Sequence, residues 1–384
     1  MKQQLPIFLL IGGFVLLLVL PSLEGSLHVL PTFENTENRK LADFPSLDSS
    51  HQLLAFPTGF DTWYQDHFPL RNQFLRSHQR LQTFGFQKSG TGRVIMGQKE
   101  WLYSGASDWV FLHGGGKFSQ QELQQLANGL AHREKALRAQ NCHYYLVIIP
   151  NKLSAYPEYV PPYLQDLDIE TRTDQVVEHL QNESSLKMLD LRPILQASKD
   201  KYPGNYIYYK HDSHWNFVGA FIGYEAIMEM LQQDFPEMQA LPFATFGWES
   251  QVVRQGDYAR MMGFPKSFPD TIFDAVDKWQ FVTKAPKVPY RVPKDVPYKP
   301  NYERVYTACA PTGHRMVLLR DSFGSFLMPF LSAHFDRSVY IFDSWKYRYK
   351  KEIVEQEQPT VYIDLVLESS LHGLHRNRWK NLTD

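Results

Sequence analysis

Met316-Val317-Leu318-Leu319-Arg320-Asp321-Ser322-Phe323-Gly324-Ser325-Phe326 is the stretch on which the reading of this chain turns. An unbroken apolar run of this kind is a strand covered on both faces, as in a parallel sheet. Asp-Ser ends the strand and a helix starts at once, so Ser322 stands on a strand-to-helix turn. In open α/β sheets ligands bind beyond the carboxyl ends of the strands. A helix N-terminus there offers N–H groups to a developing oxyanion. Taken alone, Asp-Ser is first of all an ordinary helix cap.

Working outward, similar apolar runs recur at 144–150, 187–191, 338–342 and 361–366. Helical periodicity fills the intervals 172–182, 216–233 and 323–335, and Ser119 with Glu122 forms a capping box opening a helix to about residue 140. Strand–helix alternation predicts an α/β fold, a parallel sheet with helices on both faces. Residues 236–310 break the pattern and include Ala285-Pro286-Lys287-Val288-Pro289-Tyr290-Arg291-Val292-Pro293, read as an irregular Pro-rich insertion at the sheet's rim. Short helical pieces are expected at 60–68 and 70–76, and a hairpin over 93–103.

The second chemical signal is His211-Asp212-Ser213-His214-Trp215-Asn216, just before the amphipathic helix from Phe217. A serine hydroxyl is a poor nucleophile until a base takes its proton, and imidazole suits that task. The base must be held in one tautomer, usually by a carboxylate. Asp212 and His214 are two apart, so on an extended backbone they leave the same face. The pair makes Ser322, His214 and Asp212 a candidate triad. His211, Asp212 and His214 are also candidate metal ligands, though no further Glu, Cys or His stands at ligand spacing.

The 384 residues are 43% hydrophobic and 14% aromatic, enough for a large core, and 40 basic against 41 acidic residues leave a net charge of −1. That balance argues against a nucleic-acid partner; the short basic run His375-Arg376-Asn377-Arg378 reads as a solvated tail. Cys142 and Cys309 are too few for a zinc site of paired cysteines, and their pairing is open. After Lys2 no charge occurs before Glu24, and Leu5–Leu20 with its flanks spans a bilayer core. Lys2 on the short side places the bulk of the chain outside the cytoplasm. A cleaved signal peptide and a buried helix are the alternatives, but no convincing small-x-small site follows Pro21. The expected organisation is an anchor over 1–24, a connector and accessory region over 25–90, and a catalytic domain over 91–384 containing the insertion.

Asp-x-His-Trp with Gly219-Ala220 resembles the signature of the alginate O-acetyltransferases AlgJ and AlgX and of the bacterial DHHW proteins. Further blocks agree in order: Glu37 to Pro45, Trp63 to Arg71, Gly97 to Tyr103, Ile149 to Lys152 with Tyr156 to Tyr159, Gly256 to Met261, and Asp321-Ser322-Phe323. The resemblance implies a three-layer SGNH-hydrolase-like fold with the Asp–His pair ahead of the serine. It also implies O-acetylation of an exopolysaccharide acceptor outside the membrane, no cofactor, and a multi-pass membrane O-acyltransferase as donor partner. Carried onto this chain, Ser322 is the nucleophile, His214 the base and Asp212 its orienter. Two departures stand out: Arg320 replaces a glycine and adds charge beside the site, and Ser213 replaces the family's histidine. Weaker candidates for substrate or oxyanion contacts are Asn151, Lys152, Arg71, Asp321, Arg320, Trp215 and Tyr347. The chemistry also fits an esterase with water as acceptor. A non-catalytic, membrane-tethered polysaccharide-binding or assembly protein is the reading from another class.

Overall fold

The structure, a computed structural model, describes residues 5–28, 40–47, 50–86, 92–105, 115–162, 165, 170–203, 206–254, 256–264, 266–285, 304–343 and 346–376. The Pro-rich run at 286–293, the block from Glu37 to Arg39 and the basic tail beyond Arg376 lie outside the described residues. The chain forms two compact units: Met1–Gly92 with Arg260–Phe264, and Arg93–Ala259 with Pro265–Asp384.

In the first unit, helix α1 (Leu5–Leu27) runs three residues past Glu24. Its window Leu10–Leu27 has a mean hydropathy of 1.9 and is almost wholly uncovered, which makes it a candidate membrane anchor. The expected helical pieces are two full helices, α2 (Ser50–His67) and α3 (Arg71–Arg80), joined through a turn in which Leu70, with a φ of 71°, leads into α3. Asp66 accepts the Ala42 amide at 2.8 Å, and Phe44 packs edge-on against Trp63.

The second unit starts with the expected hairpin, β1 (Val94–Met96) and β2 (Leu102–Ser104). Then come α4 (Gln120–Arg138), β3 (His143–Ile149), α5 (Lys152–Ala155), α6 (Arg172–Glu183), β4 (Met188–Asp190) and α7 (Leu191–Ala197). These are followed by α8 (Phe217–Gln232), β5 (Trp248–Val253), α9 (Asp257–Met261), β6 (Asp270–Ala275), β7 (Val282–Lys284) and β8 (Arg304–Ala308). The chain closes with β9 (Arg315–Arg320), α10 (Gly324–Leu331), β10 (Arg337–Phe342), α11 (Lys351–Glu357), β11 (Val361–Leu367) and α12 (Leu371–Arg376). Ser119 and Glu122 close both bonds of the capping box on α4.

The main sheet has seven strands in the order β4-β3-β11-β9-β10-β8-β7. The first five are parallel; β8 and β7 join antiparallel at one edge. The expected parallel sheet is present, extended at one edge by two antiparallel strands. The region read as irregular contributes β7 and β8, and pairs β5 with β6 in a separate antiparallel ribbon. Alternation within β3 shows why the rest is layered. Tyr145, Val147 and Ile149 face one core with α8 and α10, while Tyr144, Leu146 and Ile148 face another with α4 and α6. Each such side chain is worth about 1.5–3 kcal/mol on burial, and together they hold the carboxyl ends of β3, β9 and β11 side by side.

Candidate active site

β9 delivers Arg320 to the sheet's carboxyl edge, and the chain turns through Asp321 and Ser322 into α10. The turn is tight because Gly324 sits against Arg320: a Cβ at Gly324 would lie 2.7 Å from the Arg320 Cβ. Asp321 is buried and caps the turn, its Oδ1 accepting the Phe323 amide at 2.9 Å, and the Tyr347 hydroxyl donates to Oδ2 at 3.4 Å. Burial, only partly offset by that amide and by His214 and Arg320, raises the Asp321 carboxyl to about 6.

The partner loop is 208–216. A bridge between Tyr208 and Trp215 pinches it shut, and Asn216 caps α8 by accepting the Val218 and Gly219 amides. Trp215 donates its indole N–H to the Phe323 carbonyl at 3.1 Å, tying this loop to the serine turn. The loop's underside is held by Lys152, whose ammonium donates to the carbonyls of Tyr209 (3.0 Å), Lys210 (3.0 Å) and Asp212 (2.5 Å). Lys152 is 1% exposed, so it clamps the loop from beneath. Gly256 passes so close to the loop that a Cβ there would stand 2.2 Å from the His211 carbonyl oxygen.

The result is a hydrogen-bonded relay between residues 108 apart in sequence. His214 Nδ1 lies 2.6 Å from Asp212 Oδ1, and Nε2 lies 2.7 Å from Ser322 Oγ. With the Nδ1 proton held by Asp212, Nε2 is left to accept from the serine hydroxyl. Asp212 and His214 meet through an Asx turn, since Asp212 Oδ1 also accepts the His214 amide at 3.0 Å. The expected extended backbone is replaced by bends over 211–214. Asp212 Oδ2 is filled by the Asp257 amide at 2.8 Å. Ser213, where related proteins have histidine, brings its hydroxyl within 3.1 Å of Nδ1.

Burial opposes charge on Asp212, yet the hydrogen bond and charge of His214, with two backbone amides, bring its carboxyl down to about 2. Burial likewise pulls the His214 imidazole down, but Asp212, with Asp257 and Asp321 behind it, holds it above its usual value. A cavity of about 380 Å³ opens over Ser322, His214 and Asp212, walled by Tyr209, His211, Asp257, Phe268, Asp270 and Phe326 among others. The Asp212, His214 and Asp257 ligand atoms lie within 4.8 Å of one another. A metal at Nδ1 would displace the Asp212 bond that orients the ring, and His211 is not in that set, so the geometry fits the relay better.

The weaker candidates are placed elsewhere. Asn151 takes up the end of β3, its backbone N–H donating to Glu368 Oε1 at 2.6 Å and its Oδ1 accepting from Ser369 Oγ at 3.2 Å; the cavity lining does not include it. Arg320 is buried under the turn, donating to the Asp321 carbonyl and Ser325 Oγ, and burial lowers its guanidinium to about 10. Tyr347 and Trp215 brace rather than line the cavity, and Arg71 lies in the first unit beside Asp66 at 3.9 Å. Cys142 is buried and Cys309 exposed, and both are free thiols. Asp257 and Asp270 went unassigned in the sequence. The only signal was that Gly256-Asp257 stands in a block shared with related proteins.

A family model described as an SGNH hydrolase-like domain of the acetyltransferase AlgX matches residues 94–288, just over half of the chain; it includes Asp212 and His214 and stops before Ser322. No curated protein matches the chain in sequence. Among solved structures, PatB1 of Bacillus cereus is similar with a TM-score of 0.50 at 17% identity, covering 74% of this chain and 99% of its own. A DHHW family protein of Eubacterium siraeum follows with 0.48 at 17% identity, covering 74% of this chain and 94% of its own. The O-acetyltransferase domain of Pseudomonas putida AlgJ gives 0.44 at 16%, over 72% and 92%. The likeness to PatB1 speaks for the fold, and the family match adds the lineage: the chain belongs to the AlgX acetyltransferase family of SGNH hydrolase-like domains.

Proposed function

We propose that this chain is an O-acetyltransferase working outside the cytoplasmic membrane on a cell-surface or secreted polysaccharide, through an acyl-enzyme on Ser322. The observation that carries the reading is the relay with 2.6 and 2.7 Å links, opening into a cavity at the sheet's carboxyl edge. In this reading His214 Nε2 takes the Ser322 proton as Oγ bonds to the donor's acyl carbon. The tetrahedral oxyanion collapses, the donor's alkoxide leaves with the proton from Nε2, and the acyl group stays on Oγ as an ester. A sugar hydroxyl then gives its proton to Nε2 and attacks that ester, restoring Ser322. Asp212 holds the tautomer and stabilises the imidazolium throughout. The donor is delivered by a multi-pass membrane O-acyltransferase, and α1 keeps the site at the membrane that houses it.

The test uses the full-length chain in detergent micelles with p-nitrophenyl acetate, with and without an oligosaccharide, beside Ser322→Ala and His214→Ala. Expected is p-nitrophenol release lost in both variants, with acetate on Ser322 and then on the sugar by mass spectrometry. Release to free acetate with every sugar tried would make the protein an esterase. Release unchanged in Ser322→Ala would remove the triad, and no release from any form would favour a binding or assembly role.

A further inference from the structure

The first unit carries a surface that the chemistry of the second does not use. Rings follow one another from α2 across its junction with α3. Centroid to centroid, Phe56 stands 5.9 Å from Phe60, Phe60 6.1 Å from Tyr64, Tyr64 5.7 Å from Phe68 and Phe68 6.3 Å from Phe74. With about 3.6 residues per turn, Phe56, Phe60, Trp63 and Tyr64 share one face of α2, and Thr58 and Thr62 take the opposite one. The ridge is open: Phe60 is 39%, Tyr64 45% and Phe74 44% exposed, and Leu81, two turns after Phe74 on the same side, is exposed as well. A continuous exposed apolar ridge of this kind marks a contact surface.

The anchor decides what covers it. Gly25, in the last turn of α1, packs on the α2–α3 junction: a Cβ there would stand 3.1 Å from Pro69 Cγ, and Pro21, one turn earlier on that face, is buried. From Leu5 to Gly25 the helix runs about 30 Å, which matches the hydrocarbon core of a bilayer. A helix crossing the membrane thus delivers Pro69, and the Phe68 ring beside it, to the headgroup layer. Charge agrees with that placement. No Asp or Glu occurs between Asp66 and Glu100, while Arg71, Arg76 and Arg80 fall on α3. The two carboxylates of α2 lie off the ridge, Asp66 accepting the Ala42 amide and Asp61 accepting from Gln65 at 2.7 Å. A two-fold dimer through this face would instead set the arginines of α3 against their own copies. We propose that α2 and α3 lie in the boundary between headgroups and acyl chains, with the ring ridge in lipid and the arginines on anionic phospholipid phosphates. Tyrosine and tryptophan suit that layer, having an apolar ring and a polar tip. The proposal rests on α1 as the anchor and is independent of the acyltransfer reading.

The full-length chain, carrying Cys309→Ser so that the buried Cys142 is its remaining native thiol, is reconstituted into nanodiscs of phosphatidylcholine with or without phosphatidylglycerol. A nitroxide attached in Tyr64→Cys should be reached by oxygen and shielded from an aqueous nickel chelate, and one attached in Thr62→Cys should show the reverse. Phe74→Cys reports the same on α3 where Tyr64→Cys does not fold. Each arginine near an anionic surface strengthens binding about fivefold. The ratio of shielded to unshielded label should therefore fall by that factor in Arg80→Gln, and further without phosphatidylglycerol. Hydrogen exchange over α2 and α3 in the unaltered chain should be slower in anionic than in neutral discs, which needs no substitution. Nickel reaching residues 62 and 64 equally in both kinds of disc overturns the proposal. So does shielding of residue 64 from nickel and oxygen alike, the mark of a second copy or a protein partner, and so does a chain that α1 fails to hold in the discs. Shielding and exchange indifferent to phosphatidylglycerol and to Arg80→Gln overturn the choice of anionic lipid.

Discussion

Replacing Lys152 with methionine isolates what holds the Asp–His loop in place. Methionine keeps the apolar stem but deletes an ammonium that donates to the carbonyls of Tyr209, Lys210 and Asp212. Hydrogen bonds to a charged group are worth about 1.5–3 kcal/mol each, and the Lys210 carbonyl retains the Leu102 amide. Against this, the cost of keeping a cation buried disappears. The balance is a loss of about 2–4 kcal/mol in unfolding free energy. The rate should fall further than stability implies, because the freed carbonyls sit on the segment carrying Asp212 and His214. A displacement of about 1 Å there costs roughly a hundredfold. Urea unfolding of the full-length chain gives the first quantity, and ester hydrolysis at saturating substrate, well below the unfolding midpoint, gives the second. Lysine-to-arginine, too broad to place three donors in the same compact pocket, should recover stability better than rate. The reasoning is refuted if Lys152→Met unfolds within about 0.5 kcal/mol of the unaltered chain, the usual spread for inconsequential substitutions, and keeps its rate.

Three other outcomes follow from the same geometry. The acid limb of the hydrolysis profile should lie above the 6.5 of an ordinary imidazole because Asp212 and Asp257 favour its charged form, and Asp257→Asn should move the limb to lower pH; a limb that stays put removes Asp257 from the field at His214. Arg133 of α4 pairs with Asp364 in the middle of β11 and donates to the Tyr347 carbonyl. Arg133→Met leaves a buried carboxyl uncompensated, which should cost about 3–5 kcal/mol in urea unfolding, and an unchanged midpoint would deny the pair its role. Glu368 is buried beside Asn151, and burial, partly offset by Ser154 and the Asn151 amide, raises its carboxyl to about 7 against 4.5 unperturbed. The folded state therefore holds the Glu368 proton more tightly, so this group's contribution to stability is fully present below about 4.5, falls as pH rises towards 7 and then levels, by on the order of 3 kcal/mol; Glu368→Gln should remove that contribution from the curve measured by chemical denaturation.

Much of this was legible in the chain because burial writes itself into composition. β3, β9, β10 and β11 are covered on both faces, and each reads as a strongly apolar run, broken in β11 only by Asp364. β7 and β8 did not, since Val282-Thr283-Lys284 and Arg304 to Ala308 lie at the sheet's antiparallel edge, where polar residues are tolerated. Asp190 and Leu191 read as one strand, yet Asp190 accepts the Arg192 amide and starts α7 there. The relay was readable because the local grammar of Asp-x-His and Asp-Ser needs only a few residues. Asp257 was not, because it meets the loop across 45 residues of sequence, and Lys152 read as a cleft residue because nothing local says that its ammonium turns under the loop.

The place of β11 in the sheet bears on how such a protein is made. The last strand among the described residues lies between β3 and β9, pairing with both. Until residues 361–367 emerge, β3 and β9 have no common neighbour, and two halves of the core face water. An early-folding intermediate built from the strands ahead of β11 alone is thus denied its centre. A nascent chain arrested before Val361 should be digested as readily as an unfolded one, whereas a chain extended past Leu374 should resist. Completion of this sheet consequently waits for β11, a requirement set by strand order and not by the chemistry the strands support.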